Sequence, residues 1–126
     1  MTVVFRGPAD SEVEVEGVVA FEDNCLNIEF EKEHWFRKPE LMQISIPVDD
    51  IDFAEYRKGF IGAKVRVRML YLDKIKEITW RKGLNVDFVV SRSEREHAED
   101  LVDLIEDEIE RRESELDKNQ AQGSDD

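Results

Sequence analysis

Through residue 90 the apolar positions of this chain recur at every second residue, and beyond it they recur at every third or fourth. The first spacing is that of a half-buried β-strand, the second that of an amphipathic helix. Residues 12 to 21, EVEVEGVVAF, place Val13, Val15, Val19 and Phe21 on one face and Glu12, Glu14 and Glu16 on the other. Gly17 in the interior predicts a bend or bulge. Asp23-Asn24 is turn chemistry. Leu26, Ile28 and Phe30 then alternate with Asn27, Glu29 and Glu31, which completes a hairpin. Residues 33 to 40, EHWFRKPE, break the alternation, and Pro39 predicts a loop.

LMQISIPV, residues 41 to 48, supplies a third strand with Met42, Ile44, Ile46 and Val48 on one face, and IDFAEY, residues 51 to 56, a fourth. The loop RKGFIG leads into a fifth, from Gly62 to Leu72, in which Lys64, Arg66 and Arg68 share one side and Val65, Val67 and Met69 the other. A sixth strand is expected between Ile75 and Arg81. Lys82-Gly83 turns the chain, and LNVDFVV, residues 84 to 90, is the seventh, with Leu84, Val86, Phe88 and Val90 aligned. Ser93 and Glu96 then form an S-x-x-E capping box. Ala98, Leu101, Val102, Leu104, Ile105 and Ile109 follow at helical spacing, which predicts a helix from Glu94 to Glu113 with this stripe in the core. The chain therefore reads as α+β, mainly β: about seven short antiparallel strands and one C-terminal amphipathic helix. It forms a single domain over residues 1 to 114. Residues 115 to 126 are polar, have no second apolar face, and are expected to be a disordered tail.

The length of 126 residues suits one modest core. The lone cysteine, Cys25, forms no intrachain disulfide and reads as a small hydrophobe at a strand start. No apolar run is long enough for a signal peptide or a membrane span, so the expected location is the cytoplasm. Charge is unevenly placed. Residues 57 to 83 carry +7, the segments before and after carry −10 each, and the whole chain carries −13. A basic block thus sits inside an acidic chain.

Three segments carry a resemblance: SIPVDDI (45 to 51), RKGFIGAKVRVR (57 to 68) and NVDFVVSRSEREHAEDLVDLI (85 to 105). With the order of strands and terminal helix, they make the chain similar to the small bacterial pleckstrin-homology-like (PH-like) proteins over residues 12 to 113. The resemblance implies a PH-like barrel of two nearly orthogonal antiparallel sheets capped by the helix. It implies a binding scaffold for phosphoinositide, peptide or protein ligands, and it places the fifth strand at a sheet edge. It transfers no catalytic residue, and fold alone does not give function.

The residues themselves offer little catalytic chemistry. His34 and His97 stand outside any metal-ligand spacing, no nucleophile motif appears, and GAKVRVR is not a P-loop. The expectation is a protein that is not an enzyme and needs no cofactor. Membrane-binding members of the resembled family grip phosphates around the first hairpin. Here the tip of that hairpin is Glu22-Asp23-Asn24, so the usual lipid site is disfavoured. Nucleic acid is disfavoured by the net charge of −13 and by the lack of aromatic-interleaved basic motifs.

Two surfaces remain. Lys64, Arg66 and Arg68, with Arg57 and Lys58 before them, are either a solvated face loosely paired with Glu77 or a basic edge that keeps unwanted strands away or docks on an acidic surface, including those of a second copy. Trp35 and Phe36 with Arg37 and Lys38 read as an interface anchor or as a cover for the barrel mouth. The sequence thus points to a protein-interaction or self-associating module. The alternative is a binder of an anionic small molecule or membrane headgroup through residues 57 to 68.

Overall fold

The computed structural model describes residues 2–9, 14–34 and 37–123. Seven strands form one antiparallel sheet: β1 (Thr2–Arg6), β2 (Glu16–Glu22), β3 (Cys25–His34), β4 (Arg37–Pro47), β5 (Ile51–Lys58), β6 (Ala63–Met69) and β7 (Asn85–Val90), followed by the helix α1 (Arg95–Gly123). Their order in the sheet is β4-β3-β2-β1-β7-β6-β5. Two meanders, β1–β4 and β5–β7, therefore lie side by side, and β1 meets β7 only through the pair Arg6↔Val89.

The sheet is not closed, since β4 and β5 are its two edges. Yet the chain passes from one edge to the other through a single 3-10 turn, Val48–Asp50. Laid flat at about 4.8 Å per strand, the edges would stand roughly 29 Å apart. The link from Pro47 to Ile51 spans at most roughly 14 Å. The sheet must therefore curl until its edges approach at this corner. Hydrogen bonds from Val48 N to Asn24 O (2.9 Å) and from Leu70 N to Asp50 O (2.8 Å) fasten the corner.

Alternation delivers one residue in two from each strand to a common core. Val3 and Phe5, Leu26, Ile28 and Phe30, Val65 and Val67, and Val86, Phe88 and Val90 are all buried there. α1 covers this core with Ala98, Leu101, Val102 and Ile105, with Ile109 partly buried against it, while Leu104 of the expected stripe is 43% exposed. The helix runs antiparallel to β5. Arg95 Nη2 donates to Phe60 O (3.3 Å), Glu106 Oε1 accepts from Ala54 N (3.0 Å), and Arg112 Nη1 donates to Asp49 Oδ1 (2.7 Å). The Glu106 carboxylate thereby satisfies an outward amide of an edge strand, which stops further strand addition there. No described helix is long and apolar enough to cross a membrane.

Several expectations need correction. The seventh strand comes from the N-terminus, where Thr2–Arg6 forms β1, and not from Ile75 to Arg81. That segment is a series of turns, closed by Ile75 N to Leu72 O and Ile78 N to Ile75 O, both 3.0 Å. It still reaches the core. Ile75, Ile78 and Trp80 are buried, and the Trp80 ring lies 4.9 Å from Phe30 and 5.6 Å from Phe5, its indole N–H donating to Asp87 O at 2.9 Å.

The strand expected from residue 12 begins at Glu16, and Glu12 and Val13 lie outside the described residues. Gly17 marks no register shift. A Cβ there would sit 2.1 Å from Glu29 O, so the glycine permits a close strand approach. The expected loop at residues 33 to 40 is largely strand, and Pro39 is accommodated because β4 is an edge. The fifth predicted strand, now β6, lies between β7 and β5 and is not an edge.

The capping box is displaced by a 3-10 turn, Arg92–Glu94, that precedes α1, and Ser93 Oγ lies 3.0 Å from Ser91 Oγ. The helix continues to Gly123, past its expected end at Glu113 and through the boundary drawn at residue 114. Pairs such as Arg111–Glu115 (2.6 Å) support that extension.

Candidate binding site

The basic side of β6 meets acids within its own sheet. Antiparallel register sets Arg66 opposite Asp87 on β7 and Glu55 on β5. Arg66 grips Asp87 with two bonds, Nε to Oδ1 at 2.8 Å and Nη2 to Oδ2 at 3.1 Å. Lys64 Nζ lies 3.8 Å from the same carboxylate, and Arg68 Nε lies 3.5 Å from Asp52. Asp87 is only 5% exposed. Burial pushes its carboxyl up, but the hydrogen bonds and charge of Arg66, aided by Lys64 and Lys82, outweigh this and hold it below the ordinary range. Arg66 is raised in turn, first by the hydrogen bond to Asp87 and then by its charge. Arg66 and Arg68 are thus committed to structural pairs, and exposed pairs such as Arg68–Asp52 contribute little.

The remaining cations gather elsewhere. Because β1 and β7 touch at one pair and then diverge, a groove of about 840 Å³ opens between them and runs beneath the β5–β6 turn. Its walls carry Arg6 from β1, Arg57 and Lys58 from the end of β5, Lys64 from β6, and Arg92 beyond β7, against the one anion Glu16. Arg57 is held by Glu55 at 3.3 Å and Lys64 faces Asp87, while Arg6, Lys58 and Arg92 make no ion pair with any described residue.

The turn over the groove is Gly59-Phe60-Ile61-Gly62, closed by Gly59 N to Gly62 O at 2.8 Å. It holds Phe60 99% and Ile61 77% exposed, and Val4 is 56% exposed in the groove wall. Gly62 lets this turn lie against β7, because a Cβ there would sit 2.3 Å from Val90 O. Beneath it, Arg95 Nε is buried and finds no acceptor among the described residues. The site is a cationic cleft with an apolar lip. It has the means to bind an anion bearing an apolar anchor.

Of the expected site residues, Arg57, Lys58 and Lys64 come together here, and Arg66 and Arg68 do not. Trp35 and Phe36 lie outside the described residues. Arg37 opens β4 and Lys38 is exposed on it. Lys38 does not line the groove. Sequence reasoning missed Phe60, Ile61, Arg6 and Arg92. The first two carried a legible signal, since an apolar pair between glycines in a turn has no packing reason to be there. The other two are assembled only by topology. Comparison with family models, with curated proteins and with solved structures finds no match for this chain.

Proposed function

We propose that this protein is a PH-like, non-enzymatic binding module that takes acidic segments of a protein partner in the groove beneath the β5–β6 turn. Four features support the PH-like reading: two meanders joined at one residue pair, the short link between the sheet's edges, the curl this link requires, and the C-terminal helix over the core. In that reading the meanders are the two nearly orthogonal sheets of a partly open barrel.

The functional reading rests on one observation. In a chain of net charge −13, five cations line one groove beside an exposed Phe60 and Ile61. Sequestering those two side chains against a partner contributes about 1.5–3 kcal/mol each, and an acidic segment complements the cations and gains rate from steering. A peptide with glutamates around one leucine should shift the amide resonances of Val4, Phe60 to Gly62 and Arg92 on titration. Arg57→Glu/Lys58→Glu should abolish the shifts. Absence of any groove shift sinks the reading. Shifts produced only by anionic lipid vesicles or inositol phosphates would transfer the site to the alternative, an anionic headgroup.

A further inference from the structure

The basic groove and an exposed acidic face of α1 lie at opposite ends of the helix. The N-terminus of α1 abuts the groove, where Arg95 bonds the Phe60 carbonyl at 3.3 Å and Arg92 forms part of the wall. Toward its other end α1 is mixed in charge, with Arg111, Arg112 and Lys118 among its carboxylates, but one face there is acidic. Glu113, Leu116 and Asp117 share one face, with Glu110 a turn earlier, and all four are exposed, Leu116 to 60%. From Arg95 to Glu113 the helix axis is about 27 Å long. A straight helix cannot bring its own acidic face to its own groove.

The acidic face also outruns the body of the fold. The last fully buried residue of α1 is Ile105, and the last tie to the sheet side is Arg112–Asp49 at 2.7 Å. The helix nevertheless continues to Gly123, a further stretch of about 16 Å. A helical end of that length gains little stability by itself and is completed by packing. Its exposed leucine set among carboxylates matches a groove whose lip is Phe60, Ile61 and Val4 and whose walls are cationic.

We infer that copies of this protein associate head to tail, the acidic face of α1 from one copy docking in the basic groove of the next. This rests on the groove being a site for acidic segments and names the segment. Contact between the two grooves or between the two acidic helix faces would oppose like charges, so a two-fold dimer through either surface is disfavoured. The contact joins different surfaces and either closes into a ring or grows.

Sedimentation velocity on the full chain, up to on the order of 1 mM and at about 0.15 M salt, tests this with two variants. Arg57→Glu/Lys58→Glu removes the groove's charge, and Glu113→Lys/Leu116→Ser/Asp117→Lys removes the helix end. All five side chains are exposed, so both variants keep the fold. Wild type should form species larger than a dimer, or a closed ring, that shrink at about 1 M salt. Each variant alone should be monomeric. Their mixture should give a 1:1 heterodimer and nothing larger, since each supplies one intact surface.

A monomeric wild type overturns the inference, and so does a mixture that does not pair. If the wild type is monomeric but the glutamate–leucine peptide still shifts the groove resonances, the groove reading stands and only self-docking fails. If the peptide also leaves the groove unmoved, both fail.

Discussion

Asp87 is the one buried charged side chain among the described residues, and its place follows from register alone. It projects from the face of β7 opposite Phe88, directly beside Arg66 on β6, and the guanidinium offers two donors to its two oxygens. Asp87→Asn should lower stability at neutral pH by about 1.5–3 kcal/mol, because a charged bidentate pair becomes a weaker neutral one. The pH dependence has a definite sign. Asp87 titrates below its ordinary value in the folded state, so its contribution is complete above the unfolded value of about 3.9 and fades as pH falls through the folded one. The deficit of the variant in urea unfolding should thus be constant from neutral pH down to about 5 and shrink below about 4. A deficit equally large at pH 7 and pH 3 would show that charge is not what Asp87 contributes. Gly62 makes a second case at this scale. A methyl group there meets the Val90 carbonyl at 2.3 Å, so Gly62→Ala should destabilise by about 1–3 kcal/mol as the turn is pushed off β7. An unchanged unfolding midpoint would mean that the turn is not seated on β7. Asp87 was hidden in the sequence because alternation marks it as an outward, solvated residue, and only the strand order says that an arginine stands beside it.

At the level of elements, alternation and helical spacing located most of the fold. The hairpin at Asp23-Asn24 is realised with both residues at positive φ, 53° and 60°, as a tight two-residue turn requires. Two elements escaped for opposite reasons. TVVFR has the correct alternation but only five residues, and it becomes a strand by pairing with β2 along its whole length. Ile75, Ile78 and Trp80 are as buried as any strand residue, yet their spacing of three and then two belongs to successive turns. Burial was legible there, and backbone conformation was not. The helix stripe was read correctly except at Leu104, which is exposed, and it carries a direct prediction. Leu101 is fully buried, so Leu101→Ala should cost about 2–5 kcal/mol through lost contacts and the cavity left behind. A urea midpoint that did not move would place the helix elsewhere. Hydrogen exchange should divide α1 in two: amides of Ala98 to Ile109 should open only with global unfolding, and those beyond Arg112 should exchange far faster in the monomer. Uniform protection along the whole helix would contradict the exposure of Glu113 to Lys118.

For the whole molecule, the question raised by the +7 segment has a divided answer. Its strand portion, Arg66 and Arg68, is neutralised inside the sheet, and its leading edge, Arg57 and Lys58 with Lys64, joins Arg6 and Arg92 around the groove. Composition showed that a basic block existed. Which of its charges are spent on structure is fixed by cross-strand register, and which of them line the groove is fixed by the divergence of β1 from β7, and neither is written in local sequence. The apolar lip provides the cleanest separation of folding from binding. Phe60 is 99% exposed and Ile61 77%, so neither gains much burial when the chain folds. Replacing both in Phe60→Ser/Ile61→Ser should leave the urea midpoint within about 0.5 kcal/mol of wild type. The same variant should bind the glutamate–leucine peptide at least about tenfold more weakly, a loss of about 1.4 kcal/mol. That loss should persist at high salt, where the cationic contribution of Arg57 and Lys58 is screened but apolar burial is not. A large fall in stability would mean that the two residues support the fold. Unchanged peptide affinity would leave the groove as a purely electrostatic cleft, with Phe60 and Ile61 outside its contact.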